Sequence, residues 1–206
     1  MITTGRQARR GRWAMTAMFL ANGFIMGSWA PQIPLVMTRL EISETSLGVL
    51  ILLFGLGALI AMPSCGYLMG RYGSRAVLRA FALMSCLGLL LVVSAPSFWI
   101  VIPAMVFFGG AVGGMDVTMN TNAVAVEQHL GRAIMSSSHG FWSLGGFFGG
   151  GLGGIAVQKA GYLMHAGVVT VLVLAVVLAA WKFLLADPHR HGAEDRQSPT
   201  FSWPAS

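Results

Sequence analysis

The sequence predicts an all-α membrane protein with six transmembrane helices. Its 206 residues are 55% hydrophobic and only 10% charged, whereas a soluble domain usually carries about 25% charged residues. Most of the 27 glycines lie inside apolar stretches, and Gly is more frequent in membrane helices than in soluble ones. Six stretches reach the length of about 20 mostly apolar residues that a membrane helix needs: 13–37, 46–69, 76–95, 99–126, 134–157 and 163–185.

Short polar or turn-forming stretches separate these six spans. They contain charged residues, Gly or Pro, which mark the ends of apolar helices, and they fall at 38–45, 70–75, 95–97, 127–132 and 158–161. The first span is too long to be the apolar core of a signal peptide. We therefore expect three regions: a basic N-terminal segment at 1–12, a six-helix bundle at 13–185 and a flexible polar tail at 186–206.

The distribution of basic residues predicts the orientation of the bundle. Only Arg39 and Lys159 lie on one side of the membrane, and the remaining basic residues lie in the alternate set of loops and tails. By the positive-inside rule both termini are cytoplasmic. The net charge of +6 then matches anionic lipid headgroups of the bilayer rather than nucleic acid. The cytoplasmic set is Arg6, Arg9, Arg10, Arg12, Arg71, Arg75, Arg79, Arg132, Lys182, Arg190 and Arg196.

Asp116 is the only acidic residue deep inside an apolar span. A carboxylate at membrane depth costs at least a few kcal/mol, and such residues usually face a cavity and carry function. At about 100° per residue, Asn120, Ala123, Glu127 and Gly109 fall on the same helix face as Asp116. This stripe predicts that Asp116 couples transport to protons and that Asn120 lines a substrate cavity. The alternative is that Asp116 only joins helices through hydrogen bonds.

Two other spans contribute candidates for the same cavity. His139 and Trp142 are three residues apart and share a face of the fifth span. A histidine in a membrane can relay protons or bind a hydroxyl group, and a tryptophan can stack on a sugar-like ring. In the first span, Asn22 and Gln32 are candidate substrate contacts. Packing and interhelical hydrogen bonds are the alternative for all four residues.

Glycines in the fifth span predict close helix packing. They form two G-x-x-x-G series, and glycines at this spacing let a neighbouring backbone approach closely. No strand precedes the run and no Lys follows it at P-loop spacing, which argues against a phosphate site. The two series are Gly145, Gly149 and Gly153, and Gly146, Gly150 and Gly154.

No pattern for a metal, a cofactor or an enzymatic reaction occurs in the sequence. Cys65 and Cys86 lie in apolar segments without a histidine at ligand spacing, so they are expected to be small buried side chains. There is no ATP-binding motif. We therefore predict a protein that is not an enzyme, needs no cofactor and draws its energy from a gradient.

The junction after the second span resembles a family signature. It reads G-Y-L-M-G-R-Y-G-S-R, and the signature loop of the major facilitator superfamily is G-x-x-x-D-R-x-G-R-R. Gly66, Arg71, Gly73 and Arg75 match this pattern, while Gly70 replaces the usual Asp. In the family this loop helps to latch the two halves together at the cytoplasmic face, and the latch here lacks that carboxylate.

Three further stretches are similar to a bacterial inner-membrane branch of this superfamily that is distantly related to fucose permease. They are S-W-A-P-Q-I-P at 28–34, M-D-V-T-M-N-T-N-A-V-A-V-E at 115–127 and S-H-G-F-W-S-L-G at 138–145. The resemblance implies one half of a twelve-helix fold, with the tail at 186–206 equivalent to the loop between the halves. It also implies proton-coupled symport of a small polar solute such as a sugar, with Asp116 at the position of the coupling acid.

The resemblance also implies a missing partner. Transporters of this family enclose their substrate between two six-helix bundles, so we expect a second bundle, either a separate chain or a second copy. One alternative is a half-transporter that is inactive or depends on assembly. Another is efflux of a small hydrophobic compound, which the absence of proline from the glycine run of the fifth span disfavours.

Overall fold

The predicted all-helical bundle is confirmed by a computed structural model, which describes residues 5–185. No strand occurs in this part of the chain. The first predicted span corresponds to α1, a 3-10 turn and α2, and the other five spans correspond to α3 through α7. The elements are α1 (Gly5–Trp29), the 3-10 turn (Ala30–Gln32), α2 (Ile33–Arg39), α3 (Glu44–Tyr72), α4 (Ser74–Ser94), α5 (Phe98–Leu130), α6 (Met135–Ala160) and α7 (Tyr162–Ala180).

Five of the described helices, α3 to α7, are long and apolar enough to cross a membrane. Helix α1 is less apolar, because it begins with several arginines and carries Asn22 near its middle. It packs against α5, α6 and α7, and Met15, Met18 and Phe19 are completely buried there. A helix enclosed by its neighbours has less surface facing lipid, so it tolerates a more polar composition.

The first span is not one continuous helix. Helix α1 is already formed at Gly5, so it begins within the basic N-terminal segment predicted at 1–12. At the other end the α-helix gives way to the 3-10 turn, which carries Pro31, and α2 then begins with Pro34 in its first turn. Proline lacks an N–H group and clashes with the preceding turn, which explains the interruption.

Two of the predicted breaks are much shorter than expected. Only Gly73 separates α3 from α4, and only Gly161 separates α6 from α7. Both adopt positive φ angles, 78° and 84°, a region that glycine reaches without steric cost. The polar residues that suggested longer breaks belong to the last turns of α3 and α6 and to the first turn of α4. Helix α7 ends at Ala180, five residues before the predicted end of the sixth span.

Close backbone contacts join α1 to α6 and α3 to α5. A Cβ atom added to Gly145 would collide with the carbonyl oxygen of Leu20 in α1, and one at Gly109 would collide with the carbonyl oxygen of Phe54 in α3. Gly109 therefore packs against α3, and α3 closes the end of the Asp116 stripe that contains Gly109. The absence of a side chain is what lets each pair of backbones meet.

The two glycine series of α6 differ in how closely they approach α1. The first series is buried, and added Cβ atoms there would press on α1, on Pro31 or on His165. In the second series, Gly146 and Gly150 lie at the edge of the contact. A Cβ atom added to Gly146 or Gly150 would lie 3.7 or 3.6 Å, respectively, from a backbone oxygen of α1. Gly154 meets open space, because α1 has already ended in the 3-10 turn at this height.

The segment after α7 folds back onto the bundle. Arg79 of α4 donates a hydrogen bond to the carbonyl oxygen of Trp181 at 2.5 Å, and its guanidinium lies 4.7 Å from the Trp181 ring centroid. The Asn122 amide of α5 donates to the Ser74 hydroxyl at 2.8 Å and to the Leu185 carbonyl at 3.0 Å. Asn122 thus bridges helices, and the residues after α7 are anchored to α4 and α5.

Glu127 connects the end of α5 to the start of α6. Its Oε1 atom accepts hydrogen bonds from the backbone N–H groups of Ile134 at 2.5 Å and Met135 at 2.9 Å. The first N–H groups of a helix lack partners within the helix, and a carboxylate there also interacts favourably with the helix dipole. Glu127 shares a helix face with Asp116, but its carboxylate is engaged in capping α6.

Candidate functional site

Asp116, Asn120 and His139 lie together on an open face between α5 and α6; we call them the polar cluster. His139 Nε2 donates to Asn120 Oδ1 at 3.2 Å, because an amide oxygen can only accept. The Asn120 amide donates to the Asp116 backbone oxygen at 2.8 Å, and the Asp116 carboxylate interacts electrostatically with His139. Asp116 and Asn120 are half-buried and His139 is exposed. The cluster is therefore polar and accessible.

The polar cluster extends into the middle of the bundle. From the rise of about 1.5 Å per residue, Asp116 lies roughly 27 Å from Phe98 at one end of α5 and roughly 21 Å from Leu130 at the other. His139 lies only about 6 Å from Met135, the first residue of α6. The three polar groups thus form a line from near one end of the bundle to its centre.

Phe19 of α1 supports His139 from the side. The two rings meet edge to face, with centroids 5.1 Å apart and an interplanar angle of 74°. Phe19 itself is completely buried. A rigid aromatic neighbour restricts the imidazole to one side, so its Nε2 atom stays directed at Asn120.

Asn22 and Trp142 form a second, more buried contact next to the polar cluster. Trp142 Nε1 donates to Asn22 Oδ1 at 2.9 Å, and Asn22 Nδ2 donates to the Val112 carbonyl at 3.3 Å. Asn22 is only 1% exposed, and both ends of its amide are engaged between α1, α5 and α6. Trp142 is half-buried one helical turn after His139, so part of its ring remains accessible beside the polar cluster.

The Asn22–Trp142 hydrogen bond is expected to contribute measurably to stability. In a double-mutant cycle of Asn22→Ala and Trp142→Phe, we expect a coupling free energy of about 0.6–1.7 kcal/mol, the range for interhelical hydrogen bonds in membranes. Thermal unfolding in detergent of the two single variants and the double variant measures it. Strictly additive losses would show that the two side chains do not interact.

Gln32 lies apart from the other predicted cavity residues. It is fully buried, and its Nε2 atom contacts His165 Nδ1 at 2.7 Å and donates to the Tyr162 carbonyl at 3.1 Å. The 3-10 turn directs Gln32 toward α7, at the end of the bundle opposite to His139. Gln32 thus joins α1 to α7 and does not line the face that carries Asn120. Reasoning from the sequence did not single out His165, although a histidine in an otherwise apolar span is a visible signal.

The signature residues lie at the junction of α3 and α4. Gly73 makes the turn, and an added Cβ at Gly66 meets open space. Arg71 is exposed, and Arg75 is close enough to interact electrostatically with Arg79. The junction therefore presents basic side chains around a tight glycine turn.

Acidic, histidine and cysteine side chains do not converge on a metal site in the part of the chain that is described. No group of three or more such residues is placed to hold an ion between residues 5 and 185.

A bundle of apolar, membrane-length helices with a carboxylate inside one of them is typical of membrane transport proteins. The family model of the Major Facilitator Superfamily matches residues 14–205. The chain therefore belongs to this superfamily.

Three relatives support this assignment. The chain is 38% identical over 189 residues to an uncharacterized MFS-type transporter of Yersinia pestis. This alignment covers 91% of the chain and 48% of the relative. It is 40% identical over 142 residues to an uncharacterized transporter of Sinorhizobium fredii, and this alignment covers 69% of the chain and 38% of the relative. It is 34% identical over 180 residues to the membrane protein MosC of Rhizobium meliloti, and this alignment covers 87% of the chain and 44% of the relative. The chain thus spans less than half the length of these relatives.

Proposed function

We propose that this chain forms one half of a secondary transporter that moves a small polar solute, such as a sugar, together with protons. The observation that carries the proposal is the polar cluster. A carboxylate, an amide and an imidazole lie on an accessible face near the middle of a membrane bundle, where polar groups are costly and usually functional. Asp116 is the proposed coupling residue.

The proton route follows the line of the polar cluster. His139 is exposed near the start of α6, Asn120 accepts its hydrogen bond, and Asp116 lies one turn deeper. A carboxyl group is neutral when enclosed and charged when hydrated, so it takes up and releases a proton as its access changes. The imidazole of His139 is exposed, so it lies at the proposed entrance of this route.

The solute is proposed to bind beside Asn120, His139 and Trp142. The amide and the imidazole offer hydrogen-bonding groups for hydroxyls, and the accessible part of the Trp142 ring offers an apolar surface for a sugar ring. Asn22 contributes indirectly, because its hydrogen bond holds the Trp142 ring in place.

A second six-helix bundle is proposed to close the open side of the polar cluster. Helices α3 and α6 bury only narrow stripes within this bundle and expose large apolar side chains, with Leu52 and Phe147 each 72% exposed. Part of this surface faces the lipid bilayer, and part is available to a partner bundle, which is either a separate chain or a second copy.

We place the protein in a bacterial inner membrane with both termini in the cytoplasm. The start of α1, the α3–α4 junction, the α5–α6 connection and the end of α7 lie at one end of the bundle, which we call the basic end. The contact of Arg10 with the Phe183 ring supports this grouping. Basic residues favour the cytoplasmic side. The predicted tail at 186–206 lies outside the described residues.

A transport assay tests this proposal. The chain would be reconstituted in proteoliposomes alone and with a co-purified second bundle, and radiolabelled polar solutes, sugars first, would be screened under an imposed pH gradient. We expect uptake that a protonophore abolishes and that requires the second bundle. Failure of every solute in the assembled form would contradict the proposal and leave an inactive half-transporter. Reduced accumulation of a hydrophobic dye in cells would favour efflux instead.

A further inference from the structure

An arginine-lined pocket opens at the basic end, away from the polar cluster. Its volume is about 350 Å³, and it is lined by Arg9, Arg12 and Trp13 of α1 and by Leu130 and Arg132 at the α5–α6 connection. None of these five residues is acidic. Three arginines from two separate parts of the chain thus line one space, and their positive charge favours a ligand with negative charge.

An apolar groove adjoins this pocket. It has a volume of about 430 Å³ and lies between α1 and α7. Trp13 borders both the pocket and the groove and is 65% exposed. Small and apolar side chains form most of the groove: Ala14, Ala17, Val176, Ala179 and Ala180. The surface therefore joins a strongly positive site to an apolar channel that runs along two membrane helices.

We propose that this surface binds an anionic phospholipid, with the phosphate in the arginine pocket and an acyl chain along the groove. Guanidinium groups bind phosphate through paired, charge-assisted hydrogen bonds. Basic pockets between helices bind lipid headgroups, and tryptophan is enriched at the level of the headgroups. A soluble anion would use the pocket but gain nothing from the groove. The match of both parts to one molecule identifies a lipid.

Lipid binding by the purified full chain tests the proposal. Native mass spectrometry would count bound phosphatidylglycerol and phosphatidylethanolamine on the wild-type chain and on Arg12→Gln/Arg132→Gln. The matched control, Arg71→Gln/Arg75→Gln, removes the same charge at the same end of the bundle. We expect the pocket variant to bind phosphatidylglycerol roughly thirtyfold more weakly, while the control keeps the wild-type preference. Equal losses in both variants would overturn the proposal.

Two further measurements complete the test. One distinguishes lipid binding from the binding of a soluble anion, and the other distinguishes loss of the site from misfolding of the double variant. Soluble glycerol phosphate is expected not to displace phosphatidylglycerol, and displacement at equal concentration would show a site for a free anion. Arg132 is exposed, so the single Arg132→Gln variant is expected to fold normally even where the double variant does not. It should still weaken phosphatidylglycerol binding about fivefold, and unchanged binding would contradict the proposed site.

Discussion

Gly145→Leu is expected to disrupt the contact between α1 and α6. A Cβ atom at this position would collide with the carbonyl oxygen of Leu20 and would lie 2.9 Å from the backbone nitrogen of Phe24. Backbone atoms cannot rotate away as a side chain can, so the two helices must separate. Overpacking a core usually costs about 1–3 kcal/mol, and leucine adds three more carbon atoms behind the Cβ. Helix propensity favours leucine over glycine by only about 1 kcal/mol. The cost of the collision is larger, so the substitution is expected to lower the free energy of unfolding.

Gly154→Leu is the matched control for Gly145→Leu. It makes the same substitution on the same helix at a position where an added Cβ meets open space. Thermal unfolding in detergent, followed by size-exclusion chromatography, compares the two variants. We expect a loss of about 3 kcal/mol or more for Gly145→Leu and a wild-type or slightly higher melting temperature for Gly154→Leu. Similar melting temperatures for both would refute the packing role of Gly145.

Asp116→Asn is expected to abolish proton-driven uptake in the assembled transporter. Asparagine has nearly the same size and can still form hydrogen bonds, so the helix contacts of α5 should survive. It cannot release a proton, so a pH gradient should no longer drive accumulation above the level reached without a gradient. Exchange of labelled for unlabelled solute, which needs no net proton movement, is expected to continue. Proteoliposome uptake and exchange assays measure the two activities separately.

Glu127→Gln is the control for the loss of a carboxylate in α5. Glu127 lies on the same helix face, but its Oε1 atom caps α6 through Ile134 and Met135, and the glutamine oxygen can accept the same hydrogen bonds. We expect this variant to retain proton-driven uptake. Normal proton-driven uptake by Asp116→Asn would leave Asp116 with a role in packing only.

Helix periodicity was a reliable guide within a single helix. It placed Asp116 and Asn120 on one face of α5, and the two are indeed joined by a hydrogen bond one turn apart. Periodicity could not say what lies opposite that face. Gly109 lies on the same helix face by its angular position, yet it is packed against Phe54 of α3. This face of α5 contacts a neighbouring helix at Gly109 and is open further along the helix, at Asp116 and Asn120.

Contacts between helices could not be predicted from the sequence. Asn22, Gln32, His139 and Trp142 all looked like cavity residues, because each is a polar or aromatic residue in an apolar span. Of these four, only His139 forms a hydrogen bond with Asn120. Gln32 is carried to α7 by the 3-10 turn that the prolines impose, and its partner His165 lies 133 residues further along the chain. A polar side chain in a membrane takes whichever partner the packing brings within reach.

The sequence alone determined that the chain is a helical membrane bundle, because hydropathy acts through the lipid and needs no knowledge of neighbouring helices. Its resemblance to the major facilitator superfamily came from short motifs such as the loop that contains Gly66, Arg71 and Gly73. The tertiary structure decided which polar groups meet. It joined Asp116 and Asn120 to His139, assigned Glu127 to capping and brought Arg12 and Arg132 to one pocket. These pairings depend on how closely the glycine surfaces of α6 and α5 let α1 and α3 approach, and such distances arise only when the helices pack.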